Sequence, residues 1–368
     1  YVLLTPLAAA LFHAIGRHPL AGLAAAFAGV SGGYSANLLI GSVDVLLAGL
    51  SEAAAHLINP KYTVAATANL YFMFVATFVV TAAGTWVTEK IVVPRLGEYR
   101  GSAPREELKP LSPAERRGLW AAAASVGLLT AVVLWGVLPA DGFLRDPKNP
   151  AFEQSVFMRG LGTFIFLYGL LPGVAYGLAA GTLRNDHEIM SGMSATMKSM
   201  ATFIVLAFFA AQFISYFNWT NLGIILAVSG ADFISHLGLQ KLPVVLMVAL
   251  VLFAATVNLL ISSASAKWAL LAPVFVPMFM LLGYSPELVQ GAFRVGDSVT
   301  NIITPLMSYF PLILTFAQKY EPKAGIGTMI ATMLPYSIWF TITWTALLIA
   351  WIALGIPMGP GAPLFLAK

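Results

Sequence analysis

Runs of roughly 20 mostly apolar residues, the length that crosses the ~30 Å hydrocarbon core of a bilayer as a helix, recur along this chain. They fall near 66–88, 119–138, 155–181, 200–217 and 327–355. Two further apolar stretches are interrupted midway, 19–56 by SGGYSAN (31–37) and 286–319 by SVTNIITP (298–305). Inside hydrocarbon, backbone that leaves the helix must find partners in protein or in a water-filled cavity. These patterns leave one fold class open: an all-α polytopic membrane protein with discontinuous transmembrane helices. Composition agrees, since only 10% of the residues are charged and 59% are hydrophobic, whereas soluble domains carry about 25% charge.

The charges present are unevenly placed. Segment 89–118 holds Lys90, Arg95, Arg100, Arg105, Lys109, Arg116 and Arg117, seven of the 20 Lys and Arg. An excess of positive charge marks a cytoplasmic loop, so this segment is expected inside the cell. A net charge of +4 gathered in such a loop does not suit nucleic-acid binding. The absence of cysteine rules out disulfides and thiolate metal sites, and the five histidines are too scattered for a zinc set. No G-x-x-x-x-G-K-[ST] loop occurs, so ATP hydrolysis in this chain would not power transport. The chain starts at Tyr1 within an apolar segment, and an N-terminal part is expected to precede it.

An internal repeat organises the rest. Leu3, Leu4, Pro6, Gly16, Pro19, Ala25, Gly29 and Ser31 recur as Leu270, Leu271, Pro273, Gly283, Pro286, Ala292, Gly296 and Ser298, each 267 positions on. Residues 242–283 are too long for one span and break at Asn258 and again at Ser262, Ser263 and Ser265. The arms of roughly 16 residues fit a re-entrant hairpin better than a crossing. By the repeat, 1–15 is the exit arm of a first hairpin whose earlier arm and tip lie upstream of Tyr1. With 89–118 inside and 222–240 flat on the outer surface, the two hairpins open to opposite sides. That scheme puts twelve Lys and Arg inside and five outside, and it is the pattern of inverted-topology repeats. The expected divisions are 1–57 (exit arm and broken helix), 58–118 (span and basic loop), 119–240 (scaffold helices and surface helix), 241–325 (second hairpin and broken helix) and 326–368 (last span and tail).

Helix breaks at the membrane midplane expose helix-end groups: N-termini favour anions and freed carbonyls coordinate cations. The second half offers Asn258, Ser262, Ser263 and Ser265 at the tip. At its break stand Thr300, Asn301 and Thr304, with Pro305 expected to begin the next half-helix. The first half offers Ser31, Gly32, Gly33, Ser35 and Asn37. The plainer reading is that these residues only cap short helices. Arg294 and Asp297 share a helix face and are expected to neutralise each other until a substrate carboxylate competes for Arg294. Asp44, with no charged neighbour in sequence, suits proton or cation handling. Trp268 either stacks on an aromatic substrate or packs as an anchor, and Lys267 either pairs with a carboxylate or snorkels outward. Two other functions compete. One is a passive channel. The other is an intramembrane aspartyl protease, for which Val295-Gly296-Asp297 gives part of G-x-G-D but Arg294 stands at the first glycine.

At these residues the sequence resembles the AbgT family of bacterial p-aminobenzoyl-glutamate transporters, along essentially the whole chain. The likeness is carried by GRHPLAGLAAAFAGVSGGYSANLLIGSVDVLLAGLS (16–51), EKIVVPRLG (89–97), SASAKWALLAPVFVPMFMLLG (263–283), FRVGDS (293–298) and GIPMGPG (355–361). The resemblance implies a homodimer in the bacterial inner membrane, each subunit with nine membrane helices and two hairpins, and no enzymatic activity. It also implies uptake of p-aminobenzoyl-glutamate, a folate breakdown product, or export of sulfonamide antimetabolites, driven by a proton or sodium gradient and without a cofactor. The family's functional positions carry over to Asp44, Asn258, Ser265, Trp268, Pro286, Arg294, Asp297 and Pro305. Taking these positions together with the helix-break residues, a small anionic aromatic substrate is expected at Gly33, Asn37, Asn258, Ser265, Trp268, Arg294 and Asn301. Ion coupling is expected at Asp44, Asn258, Asp297 and Thr300, with sodium, if used, near Asn37, Asn258 and Asp297. Pro286 and Pro305 shape the breaks. Lys267 departs from the pattern, which calls for an apolar residue there.

Overall fold

Helices account for all the regular secondary structure of the described residues. The computed structural model describes residues 1, 3–101, 111–139, 141–146, 155–307 and 309–366. Within the basic segment, 102–110 with Arg105 and Lys109 lie outside the described residues, as do Lys148 and Lys368. Two compact units form, one from Tyr1–Leu108 with Ala210–Lys368, the other from Lys109–Phe209.

The smaller unit holds α6 (Pro113–Val137), the short α7 (Val156–Arg159), α8 (Leu161–Ala180) and the first part of α9 (Asp186–Trp219). Ser112 starts α6 with a capping box: its Oγ accepts from Glu115 N at 3.2 Å, and Glu115 Oε2 accepts from Ser112 N at 2.8 Å. The long α6 packs along α8.

The larger unit carries the repeat. It contains α1 (Leu4–Ala14), α2 (Pro19–Phe27), α3 (Ser42–Ala55), α4 (Leu70–Val87) running through a π turn into α5 (Val93–Leu96), α10 (Leu222–His236), α11 (Pro243–Asn258), α12 (Ala264–Leu281), α13 (Pro286–Val299), α14 (Phe310–Tyr320) and α15 (Ile326–Leu354). Helix α1 packs on α2, α11 on α13, α12 on α3 and α10, and α4 on α15. The junctions at either end of the repeat are built alike. Gly16 and Gly283 end the preceding arm at φ of 81° and 89°, a left-handed backbone that glycine adopts without a Cβ penalty. Pro19 and Pro286 then open α2 and α13 at the first helical position. His18 Nδ1 accepts from Leu20 N at 3.3 Å, and Ser285 Oγ accepts from Leu288 N at 3.2 Å.

Five helices among the described residues are long and apolar enough to cross a membrane: Leu70–Leu96, Pro113–Val137, Gly162–Ala180, Ala264–Leu281 and Ile326–Leu354. The expected span 200–217 lies inside the 34-residue α9. The hairpin arms α11 and α12 have 16 and 18 residues, so the second is of span length as well as an arm. Both interrupted stretches are discontinuous helices, 9 and 14 residues either side of the first break and 14 and 11 either side of the second. This is the all-α polytopic architecture expected from the sequence.

Helix α13 is buried along its whole length, and Gly296 sets how closely α11 approaches it. A Cβ on Gly296 would run into the Val251 carbonyl oxygen and stand 2.8 Å from Ala254 Cβ, whereas one on its repeat partner Gly29 meets nothing within 4 Å. Small residues permit such backbone contact between membrane helices. Gly296→Ala is expected to destabilise the protein by about 1–3 kcal/mol through overpacking, lowering its melting temperature in detergent. Gly29→Ala is expected to leave that temperature nearly unchanged. Equal responses at the two glycines would contradict this packing.

Candidate functional site

The two breaks arise differently. The first ends α2 in a π turn, Ala28–Gly32, after which 33–41 is non-helical until Ser42 begins α3. In the second, α13 stops at Thr300, a 3-10 turn covers Asn301–Ile303, and Thr304 is extended at φ −96° and ψ 105°. That conformation is what Pro305 imposes on its predecessor. Pro305 therefore terminates rather than initiates, contrary to expectation. The next half-helix begins at Phe310, with Pro311 in its first turn.

The breaks meet. Ser35 N donates to Ser298 Oγ at 3.2 Å, Asn301 Nδ2 donates to Ser31 O at 3.2 Å, and Arg294 Nη2 donates to Ser35 O at 3.1 Å. Ser31 Oγ also reaches Met307 Sδ at 3.3 Å. Segments some 260 positions apart in sequence thus supply one another's hydrogen bonds.

Four buried charges stand at this crossing, and their pairing differs from the expectation that Arg294 and Asp297 neutralise each other. Arg294 Nη1 lies 2.7 Å from Asp44 Oδ1, and Lys267 Nζ lies 2.5 Å from Asp297 Oδ1. The helical period does place Arg294 and Asp297 on one face, but each finds a partner on another element. Asp44 is consequently not a lone carboxylate. Its Oδ2 accepts from Gly41 N at 2.8 Å and from Asn37 Nδ2 at 2.6 Å, so it caps the start of α3 while its other oxygen holds Arg294. The open question over Lys267 resolves to pairing, since its side chain is fully buried. Lys267 also donates to Asn258 Oδ1. Asn258 Nδ2 in turn reaches Asp297 O at 2.7 Å, Thr300 Oγ1 at 2.9 Å and Asn301 Oδ1 at 2.9 Å.

A cavity of about 240 Å³ opens beside the crossing, lined by Tyr1, Tyr34, Ser262, Ser263, Ala264, Ser265, Asn301, Met307 and Tyr309. The other residues expected to touch substrate lie elsewhere. Gly33 borders a separate cavity with Val80 and Phe340, and Asn37 is engaged with Asp44. Trp268 is fully buried, stacked on Phe293 with ring centroids 4.4 Å apart, and its Nε1 donates to Ser51 Oγ at 2.9 Å. In this structure it packs rather than lines the cavity. The three residues named for sodium separate into Asn37 at Asp44, and Asn258 at Asp297 with Lys267 between their oxygens. Sequence reasoning passed over Tyr34 and Tyr309. Both sit next to breaks, inside SGGYSAN and four residues past Pro305, and aromatics at such positions were the available signal.

Crossed discontinuous helices, hairpin tip and paired buried charges beside a polar, aromatic-lined cavity are the arrangement of a membrane transporter of the broken-helix class. Residues 1–366 match the AbgT putative transporter family, and the chain belongs to it. It is 42% identical to the p-aminobenzoyl-glutamate transport protein of Escherichia coli strain K12 over 98% of this chain and 70% of that protein. Its structure matches the YdaH transporter of Alcanivorax borkumensis, whose topology is described as unusual, at a TM-score of 0.92 and 47% identity, covering 98% of this chain and 75% of that one. It also matches Neisseria gonorrhoeae MtrF, of a class described as antimetabolite efflux pumps, at 0.90 and 50% identity, covering 99% and 72%.

Removing one member of a buried ion pair leaves the other charge uncompensated, at a cost of about 3–5 kcal/mol. Asp44→Asn and Arg294→Met are each expected to lower stability on that scale. The double variant is expected to lose clearly less than the sum of the two. Thermal melting in detergent measures all three, and additive losses would mean the two side chains do not act as a pair.

Proposed function

We propose that this chain is an ion-gradient-driven secondary transporter of small aromatic carboxylates. It takes up p-aminobenzoyl-glutamate-like folate catabolites or exports sulfonamide antimetabolites, and works as a homodimer in the bacterial inner membrane. The observation that carries this reading is the cavity at the crossing. Three tyrosine rings suit an aromatic ring, and the serine hydroxyls and Asn301 suit its polar substituents. The names of the relatives point the same way.

Arg294 is the group suited to a substrate carboxylate. Its two terminal nitrogens hold Asp44 and Ser35 O, while its buried Nε has no acceptor. A planar guanidinium can grip a carboxylate through two parallel hydrogen bonds. On this proposal an arriving carboxylate competes with Asp44 for Arg294, and the released Asp44 takes up the coupling ion. Substrate and ion binding are thereby linked through one exchange of partners. This replaces the role expected for Asp297, which is held by Lys267 instead.

The test is counterflow of radiolabelled p-aminobenzoyl-glutamate in proteoliposomes under imposed proton or sodium gradients. A gradient is expected to accelerate uptake of the label, and Arg294→Lys is expected to weaken substrate affinity on the order of tenfold or more, because a point charge cannot replace the fork. Flux that no gradient stimulates, without counterflow, would favour a passive channel. Wild-type affinity in Arg294→Lys would remove Arg294 from the substrate site.

A further inference from the structure

The Lys267 ammonium lies between oxygens of the kind that hold a monovalent metal ion. Asp297 Oδ1 is 2.5 Å from Nζ, and Asn258 Oδ1 accepts from it. Carboxylate and amide oxygens are hard ligands suited to alkali and alkaline-earth ions. They come here from the end of α11 and the last turn of α13, helix ends of the type that coordinate sodium in broken-helix transporters. The orientation of Asn258 is fixed by its surroundings. Its amide nitrogen faces three oxygens, Asp297 O, Thr300 Oγ1 and Asn301 Oδ1, so its own oxygen is left for a cation. Lys267 is 0% exposed, and its position in α12 tethers the charge.

Charge balance at the crossing supports the same conclusion. Asp44 and Asp297 are opposed by Arg294 and Lys267, one cation for each carboxylate. Among the described residues, the phenols of Tyr1 and Tyr34 are also close enough to interact electrostatically with Asp297, and they carry no charge in their protonated form. Helix α11 contributes no ionisable side chain, and on α10 Asp232 and His236 are exposed. A sodium ion added to Asp297 would therefore leave an uncompensated positive charge in a desolvated site.

We infer that Lys267 is a built-in cation that fills the seat formed by Asn258 and Asp297, so that this seat takes no sodium while the ammonium is present. Removal of the ammonium turns the same oxygens into a sodium site. This deepens the proposed transport function by taking Asn258 and Asp297 out of the positions open to a coupling ion and leaving Asp44, and it rests on that function only for this consequence.

The experiment compares sodium chloride with potassium chloride at equal ionic strength. For the wild type without substrate, the melting temperature in detergent is expected to be the same in both salts. For Lys267→Ala, and for Lys267→Ser as a second variant that adds a hydroxyl ligand, sodium is expected to raise the melting temperature saturably over potassium, because a ligand that binds only the folded state stabilises it. Lys267→Ala combined with Asp297→Asn is expected to lose that rise. A sodium-specific rise in the melting temperature of the substrate-free wild type overturns the inference. So does the lack of a sodium-specific rise in both single variants, including failure of both to fold in either salt. If the wild type moves no p-aminobenzoyl-glutamate under any gradient, the proposed function falls, while the melting comparison still decides the role of Lys267.

Discussion

A helix that stops inside a bilayer leaves N–H and C=O groups with no water to turn to, each costing several kcal/mol if it stays unpaired. Here each break answers the needs of the other. Ser35 gives its N–H to Ser298 and its carbonyl to Arg294, and Ser31 gives its carbonyl to Asn301. The crossing follows from this requirement, because neither break can stay in a membrane by itself. The surrounding helices then hold it: α3 lies on α12, α11 on α13, and α15 on both α4 and α13.

The charges obey the same logic at higher cost. Four ionisable side chains share this region, and each is matched by a partner from a different element. Such pairs are weak sources of stability, because desolvation offsets most of the Coulomb gain. Their effect is on geometry. Arg294 can satisfy Asp44 and Ser35 together only if α13, the first break and the start of α3 keep one arrangement. Lys267 likewise ties α12 to the last turn of α13 and the end of α11. A ligand that draws Arg294 away from Asp44 loosens three elements at once, which is how binding at one place can shift the rest.

Much of this was legible in the sequence because it is local. Span lengths, the two breaks and the hairpin interruptions at Asn258 and Ser262 follow from runs of apolar residues and where they end. The 267-residue offset showed that Gly16 and Gly283 begin equivalent junctions, and both adopt the same left-handed turn. What stayed hidden depends on contacts across the chain. Arg294 and Asp44 are 250 positions apart, and no periodicity links them. The i, i+3 spacing of Arg294 and Asp297 was a real local relation that cross-helix partners outweighed. Trp268 could not be assigned a face because α12 is apolar nearly all round, and only the stacked Phe293 shows where its ring points. Pro305 and Pro311 each fit the start of a half-helix by type, and which one did so depended on how the break turned.

The repeat and the site also differ in a way that bears on how one arose within the other. By the 267-residue offset, Arg294 corresponds to Phe27, Asp297 to Val30 and Asp44 to Pro311. None of the three charges is duplicated. Phe27 is fully buried in the core, where its counterpart carries a guanidinium across to the other break. The repeated residues are instead those that shape backbone: the glycines and prolines at the junctions, and Ser31 and Ser298 at the breaks. Each of these serines supplies the crossing, Ser31 through its carbonyl and Ser298 through its hydroxyl. Symmetry thus builds the frame that brings two breaks together. The chemistry depends on where symmetry was abandoned, with a carboxylate placed after the first break and a cation before the second, so that one half can hold the other by charge.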